Sequence, residues 1–188
     1  MAPKKAAKKS VKDHEKNHHE GKEGKELRRA YEHLGRLGIL EKMLSAGASA
    51  QIGILTDMAQ KSLLEGDSKS AADLLRASEH LGFGSLASQA KASRVSEELA
   101  SALNEEYEHL VDKAEEHWQK HEGKRPDAIV PVYDSMLQFA NIALEKGAYR
   151  RALEFARGAE ALAHVRGSDV PTLGELGAGN KADRRLRA

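Results

Sequence analysis

Polar and charged residues fill the first 26 positions, with Val11 the only large apolar side chain between Met1 and Leu27. Residues 1–26 are read as a disordered, lysine-led tail, because so little apolar surface cannot offset the entropy of ordering it. The pattern changes at Leu27. Leu27, Ala30, Tyr31, Leu34, Leu37, Ile39, Leu40, Met43 and Leu44 recur mostly at spacings of three and four, as in a helix that buries one stripe. Gly35 and Gly38 interrupt its middle, which predicts a bend or a close contact with another helix. A second helix is expected over 48–65, with Ile52, Leu55, Met58, Ala59, Leu63 and Leu64 inward and Gly66 as its stop. Asp67 or Ser68 caps a third, whose stripe is Ala71, Leu74, Leu75, Ser78 and Leu81, with Gly82 as terminator.

Between Ser85 and His121 there is no proline, and no glycine follows Gly84. Val95, Leu99, Leu103, Tyr107, Leu110, Ala114 and Trp118 step at threes and fours, so a single long helix is expected over 85–121. Gly123 to Pro126 breaks it. A fifth helix opens near Pro126-Asp127, delayed a turn by Pro131, with Met136, Phe139, Ala140, Ala143 and Leu144 inward and Gly147 ending it. A sixth runs over 148–165, and the glycine-rich, basic-ended segment 166–188 is read as a flexible tail. The expectation is an all-α body over 27–165, a six-helix bundle or short solenoid with disordered ends.

The chain matches itself. A shift of 81 residues lays Leu55–Leu81 on Met136–Leu162, pairing Ala59 with Ala140, Leu63 with Leu144, Gly66 with Gly147, Ala71 with Ala152, Arg76 with Arg157, Glu79 with Glu160 and Leu81 with Leu162. A shift of 76 repeats Tyr31-Glu32-His33-Leu34 as Tyr107-Glu108-His109-Leu110. These matches imply a duplicated three-helix unit, roughly 27–82 and 103–165, whose copies bury their spare faces against each other. In the second copy Met136, Phe139, Ala140 and Ala143, the Gly147-Ala148-Tyr149 turn, and Ala152, Leu153 and Ala159 resemble a tetratricopeptide-type helical hairpin. The resemblance covers about 27 residues per copy, lacks the closing proline and has the wrong repeat length; it implies a protein-binding scaffold.

Composition narrows the classes. The 30 basic and 29 acidic residues leave a net charge of +1, which demands neither a nucleic-acid nor a membrane partner. One Trp, four Tyr and three Phe leave the core to aliphatic side chains. The absence of cysteine excludes disulfides, thiolate metal sites and cysteine nucleophiles, and fits a reducing, cytoplasmic setting. No apolar run reaches the length of a membrane span.

Several residue patterns bear on chemistry. His14-Glu15-Lys16-Asn17-His18 reads H-E-x-x-H, and on a helix His14 and His18 would share a face, but the motif lies in the charged tail rather than in a buried helix. His117 and His121 share a helical face, and Glu106 with His109 has the spacing of a di-iron motif, yet the first copy carries Ala30 where a second glutamate is needed. No cofactor or resident metal is expected. Arg157 and His164, and likewise Arg28 and His33, resemble the arginine–histidine motif of HEPN ribonucleases; that resemblance implies an arginine stabilising phosphate charge and a histidine acting as acid or base. Lys4, Lys5, Lys8, Lys9 and Lys12 resemble a histone-like tail able to hold a phosphate backbone by counterion release.

The leading expectation is a non-enzymatic scaffold or adaptor that receives a protein or peptide partner, with self-association open to it. Its anchors would be the scarce aromatics Tyr31, Tyr107, Trp118, Tyr133 and Tyr149. The alternatives are a metal-independent ribonuclease using Arg157 and His164, and a nucleic-acid-associated protein tethered by its lysine tail.

Overall fold

Two glycine turns set the architecture. The computed structural model describes residues 7–89, 91–92 and 95–167, with the side chains of residues 7–20 and 22 outside that description. Six helices follow in order: α1 Ala7–Leu40, α2 Ala46–Leu64, α3 Ser68–Leu86, α4 Glu97–Lys120, α5 Val130–Glu145 and α6 Tyr149–Ala163. No strand occurs among the described residues. Gly66 and Gly147 take φ of +82° and +66° and reverse the chain between α2 and α3 and between α5 and α6. Each turn closes identically. Asp67 N–H and Ala148 N–H reach back to the carbonyls of Ser62 and Ala143, and the glycine N–H groups bond Leu63 and Leu144. This is the left-handed C-cap that glycine adopts without a Cβ penalty. The two turns differ at the next helix: the Asp67 carboxylate accepts from Ser70 N–H at 3.0 Å, whereas Ala148 offers α6 no side-chain cap.

The packing order of the first three helices recurs in the last three. α3 packs against α1 and α2, α6 packs against α4 and α5, and α3 and α6 pack against each other. The central pair runs antiparallel: Ser70 reaches Arg166, Arg76 reaches Glu160, His80 reaches Glu154, and Gly84 abuts Phe155. Small residues let these backbones approach. Ala71, Ala77, Ala152, Ala156 and Ala159 are fully buried, and a Cβ on Gly84 or Gly158 would stand 2.8 Å from the Phe155 ring or 2.9 Å from Met136 Sδ. Leu74, Leu75, Leu81, Phe155 and Leu162 fill the remaining space, each contributing about 1.5–3 kcal/mol of transfer free energy.

Several expectations need correction, among them Phe139 and Leu99, expected on inward stripes but 39% and 49% exposed. The helix expected over 85–121 is divided: α3 continues to Leu86, and α4 starts at Glu97 behind a Ser96 cap that accepts from Leu99 N–H. Tertiary contacts impose this break. Arg151 Nη1 donates to the Ser85 and Ala87 carbonyls at the end of α3, and Ala92 N–H bonds the Gly147 carbonyl. Gly82 is therefore no terminator; it lies within α3, where a Cβ would come 3.3 Å from Leu40 Cδ1. Leu64, expected inward, is 89% exposed at the end of α2.

The largest difference concerns α1. It spans Ala7–Leu40, and no described side chain before Ala30 is buried. Ala30, Leu37 and Leu40 pack inward, but Leu27, Tyr31, Ile39 and Met43, expected on the same stripe, are exposed. The helix carries apolar residues on two opposed faces, and this chain covers one.

Candidate interaction site

Three buried or half-buried glutamates hold the inner helices to their neighbours. Glu79 on α3 accepts from Arg36 Nε at 2.5 Å and Nη2 at 3.0 Å and from His33 Nδ1 at 2.5 Å, joining α3 to α1. Burial pushes its carboxyl up, but the hydrogen bonds from His33 and Arg36 outweigh that and leave it below the ordinary glutamate value. Glu154 on α6 accepts from His80 on α3 at 2.8 Å, and Glu160 accepts from Arg76 at 2.8 Å and His164 at 3.0 Å. Hydrogen bonds from His80 and His164 likewise hold these two carboxyls low. Beside Arg76, Asp73 is held above its ordinary value, because burial outweighs the attraction of that guanidinium.

The proposed ribonuclease pair lies along this seam, and each member is engaged by carboxylates. Arg157 bonds Glu106 at 2.6 Å and Glu154 at 3.5 Å, while His164 bonds Glu160 and its ring centroid sits 4.0 Å from that of His117. Burial and the neighbouring His164 lower the His117 pKa, and burial lowers that of His121. His117 thus meets His164, while the buried His121 accepts a hydrogen bond from Arg125 through its carbonyl. His33 serves Glu79, whereas its sequence counterpart His109 is exposed on α4. No group of three His, Asp or Glu side chains able to hold a metal ion occurs among the described residues. The side chains of His14, His18, Lys8, Lys9 and Lys12, and all of Lys4 and Lys5, lie outside the described residues.

The five aromatics part company. Tyr107 is buried and its hydroxyl donates to Asn141 on α5; Tyr133 is buried and stacks on Trp118 with ring centroids 3.7 Å apart. Both are core residues, so neither can anchor a partner on this surface. Trp118 is half-buried under the Arg125 guanidinium, 3.8 Å from its ring centroid. Tyr149 lines a cleft of about 550 Å³ at the start of α6, shared with Phe83, Leu86, Lys91 and Arg150. Only Tyr31 among the five is exposed, at 61%.

Tyr31 does not stand alone. Leu27, Ile39 and Met43 are 40%, 67% and 64% exposed and fall at multiples of four from it, a row that continues from α1 through the short 3-10 turn Glu41–Met43. Gly35 occupies the missing step of that row, and a Cβ placed on it or on Gly38 would meet nothing within 4 Å. Sequence reasoning singled out Tyr31 as an anchor while also placing it, with Leu27, Ile39 and Met43, on the stripe expected inward. A helical wheel contains the missing signal: at 100° per residue the row passes roughly opposite Ala30, Leu37 and Leu40.

Comparison with protein-family models, curated proteins and solved structures finds no match for this chain. Among the described residues no helix is long and apolar enough to cross a membrane.

Proposed function

We propose that this chain is a non-enzymatic helical scaffold that binds a protein or peptide partner through the outward face of α1. The observation that carries the reading is the exposed apolar row Leu27, Tyr31, Ile39 and Met43 on a helix whose opposite face is already buried. Scattered apolar side chains on a surface are ordinary, but a row at helical spacing along one face is the form that helix-mediated recognition takes. The ribonuclease alternative gains no such support, since a phosphate approaching Arg157 and His164 meets Glu106, Glu154 and Glu160. The recurring packing order and the matched glycine turns support reading the body as a duplicated three-helix unit with hairpins of tetratricopeptide style.

A photo-crosslinking residue at Ile39, compared with one at the exposed Glu108 of α4, tests the assignment in cells. A discrete adduct at position 39, lost on Tyr31→Asp, is expected. Equal, diffuse labelling at both positions would refute the face.

A further inference from the structure

We infer that residues 164–167, which follow α6, form a proton-sensitive strap that acid releases from the start of α3 and the end of α4. The backbone of the strap is fastened on both sides. Gly167 N–H donates to the Lys124 carbonyl at 2.6 Å, and Ser70 Oγ on α3 donates to the Arg166 carbonyl at 3.5 Å. Val165 between them is 2% exposed. The remaining contact is a pair of imidazoles: the His164 ring lies 4.0 Å from that of His117 on α4, tilted by 46°. His121, the C-cap of α4, lies one turn beyond His117 and is buried.

This pair tolerates neutral rings or a single proton, but not two. His164 Nε2 donates to Glu160 at 3.0 Å, which leaves Nδ1 as the basic nitrogen of the neutral ring. A proton there is held by Glu160, yet that carboxylate is already shared with Arg76 of α3 at 2.8 Å. A second proton, on His117, sets like charges against each other across the ring contact. The surroundings add more positive charge than negative. Lys113 and Lys120 of α4, Arg125 and Arg166 join Arg76 on the positive side. Against them stand Glu116 and Glu160, and an Asp73 that burial holds above its ordinary value. Burial and His164 lower the His117 pKa, and burial and Arg166 lower that of His121. Releasing the strap frees both rings from these neighbours and returns them toward their ordinary value of 6.5. The open state then binds more protons, so it gains as pH falls. A histidine neutral under the closed strap and free to titrate in the open one favours opening about 11-fold at about pH 5.5, against about 1.1-fold at about pH 7.5. His33 and His80 each bond a glutamate instead, where a proton completes an ion pair.

Amide exchange on the full-length chain tests the strap, with rates expressed as protection factors so that the intrinsic pH dependence divides out. Between about pH 7.5 and about pH 5.5, protection at Val165 and Gly167 should fall at least ~10-fold, the share of one such histidine, while α2, which contains no histidine, changes less than ~2-fold. His117→Gln leaves the backbone bonds of the strap in place and should shrink that fall at least ~3-fold; His164→Gln should do the same from the other side of the contact. A wild-type fall of less than ~3-fold would overturn the inference, and that measurement needs no variant to fold. So would a fall that both substitutions leave unchanged, or an equal loss across α2, which would mean that acid opens the whole body.

Discussion

Replacing Glu79 by glutamine should loosen α1 from the body. The Glu79 side chain is only 9% exposed and accepts three hydrogen bonds, two from Arg36 and one from His33. A hydrogen bond to a charged group contributes about 1.5–3 kcal/mol net. The His33 bond, part-buried with His33 only 16% exposed, falls near the lower part of that range. Arg36 is 48% exposed, so its share is closer to the ~1 kcal/mol limit of solvent-screened pairs. Glu79→Gln, which also turns an amide N–H toward donors, should then cost about 2–3 kcal/mol, or roughly 5–10 °C in Tm for a chain of this size. Urea unfolding followed by circular dichroism measures the loss. The pH dependence sharpens the test. Because the folded Glu79 carboxyl lies below its ordinary value of 4.5, its stabilisation is present above that value and fades as pH falls through the folded one. The gap between wild type and variant should therefore shrink between pH 7 and about pH 3. A gap under about 0.5 kcal/mol at pH 7, or one unchanged at acid pH, would refute the role given to this carboxylate.

Three further outcomes follow from the same geometry. Gly84→Ala would drive a Cβ to 2.8 Å from the Phe155 ring and should destabilise by about 1–3 kcal/mol despite its gain in helix propensity, whereas Gly53→Ala, with nothing within 4 Å, should stabilise α2 by about 0.5–1 kcal/mol; denaturant midpoints of the same sign would contradict this. The Tyr133 hydroxyl is buried without a hydrogen-bond partner, so Tyr133→Phe should leave thermal stability unchanged or raise it by up to about 1 kcal/mol, and a clear loss would show that the hydroxyl is bonded. Arg151→Ala removes the guanidinium that binds the Ser85 and Ala87 carbonyls; amide exchange over residues 84–92 should accelerate at least ~5-fold, corresponding to about 1 kcal/mol of lost hydrogen bonding, and unchanged protection would mean that the break between α3 and α4 is held by something else.

The helices and turns were largely legible along the chain because their causes are local. Ala71, Leu74, Leu75, Ser78 and Leu81 form the stripe their spacing predicts, and all five are buried. Gly66 and Gly147 reverse the chain where they stand, since glycine alone enters the left-handed region at no steric cost. The end of α3 was not legible. Its break depends on Arg151, 64 positions beyond Ala87, and residues 87–96 carry no glycine or proline to announce it. The candidate surface was half legible: Tyr31 and the two glycines stood out, but its apolar neighbours read as core.

Periodicity and glycine placement alone determined an all-helical body and where its chain reverses, because both act over one or two helical turns. Only the tertiary structure decided which side of α1 is covered. Tyr31 and Tyr107 sit in the same four-residue string, yet Tyr107 is buried and donates to Asn141 while Tyr31 faces solvent. Burial is a property of what another helix brings to a side chain, and the residues on either side of a tyrosine do not determine it.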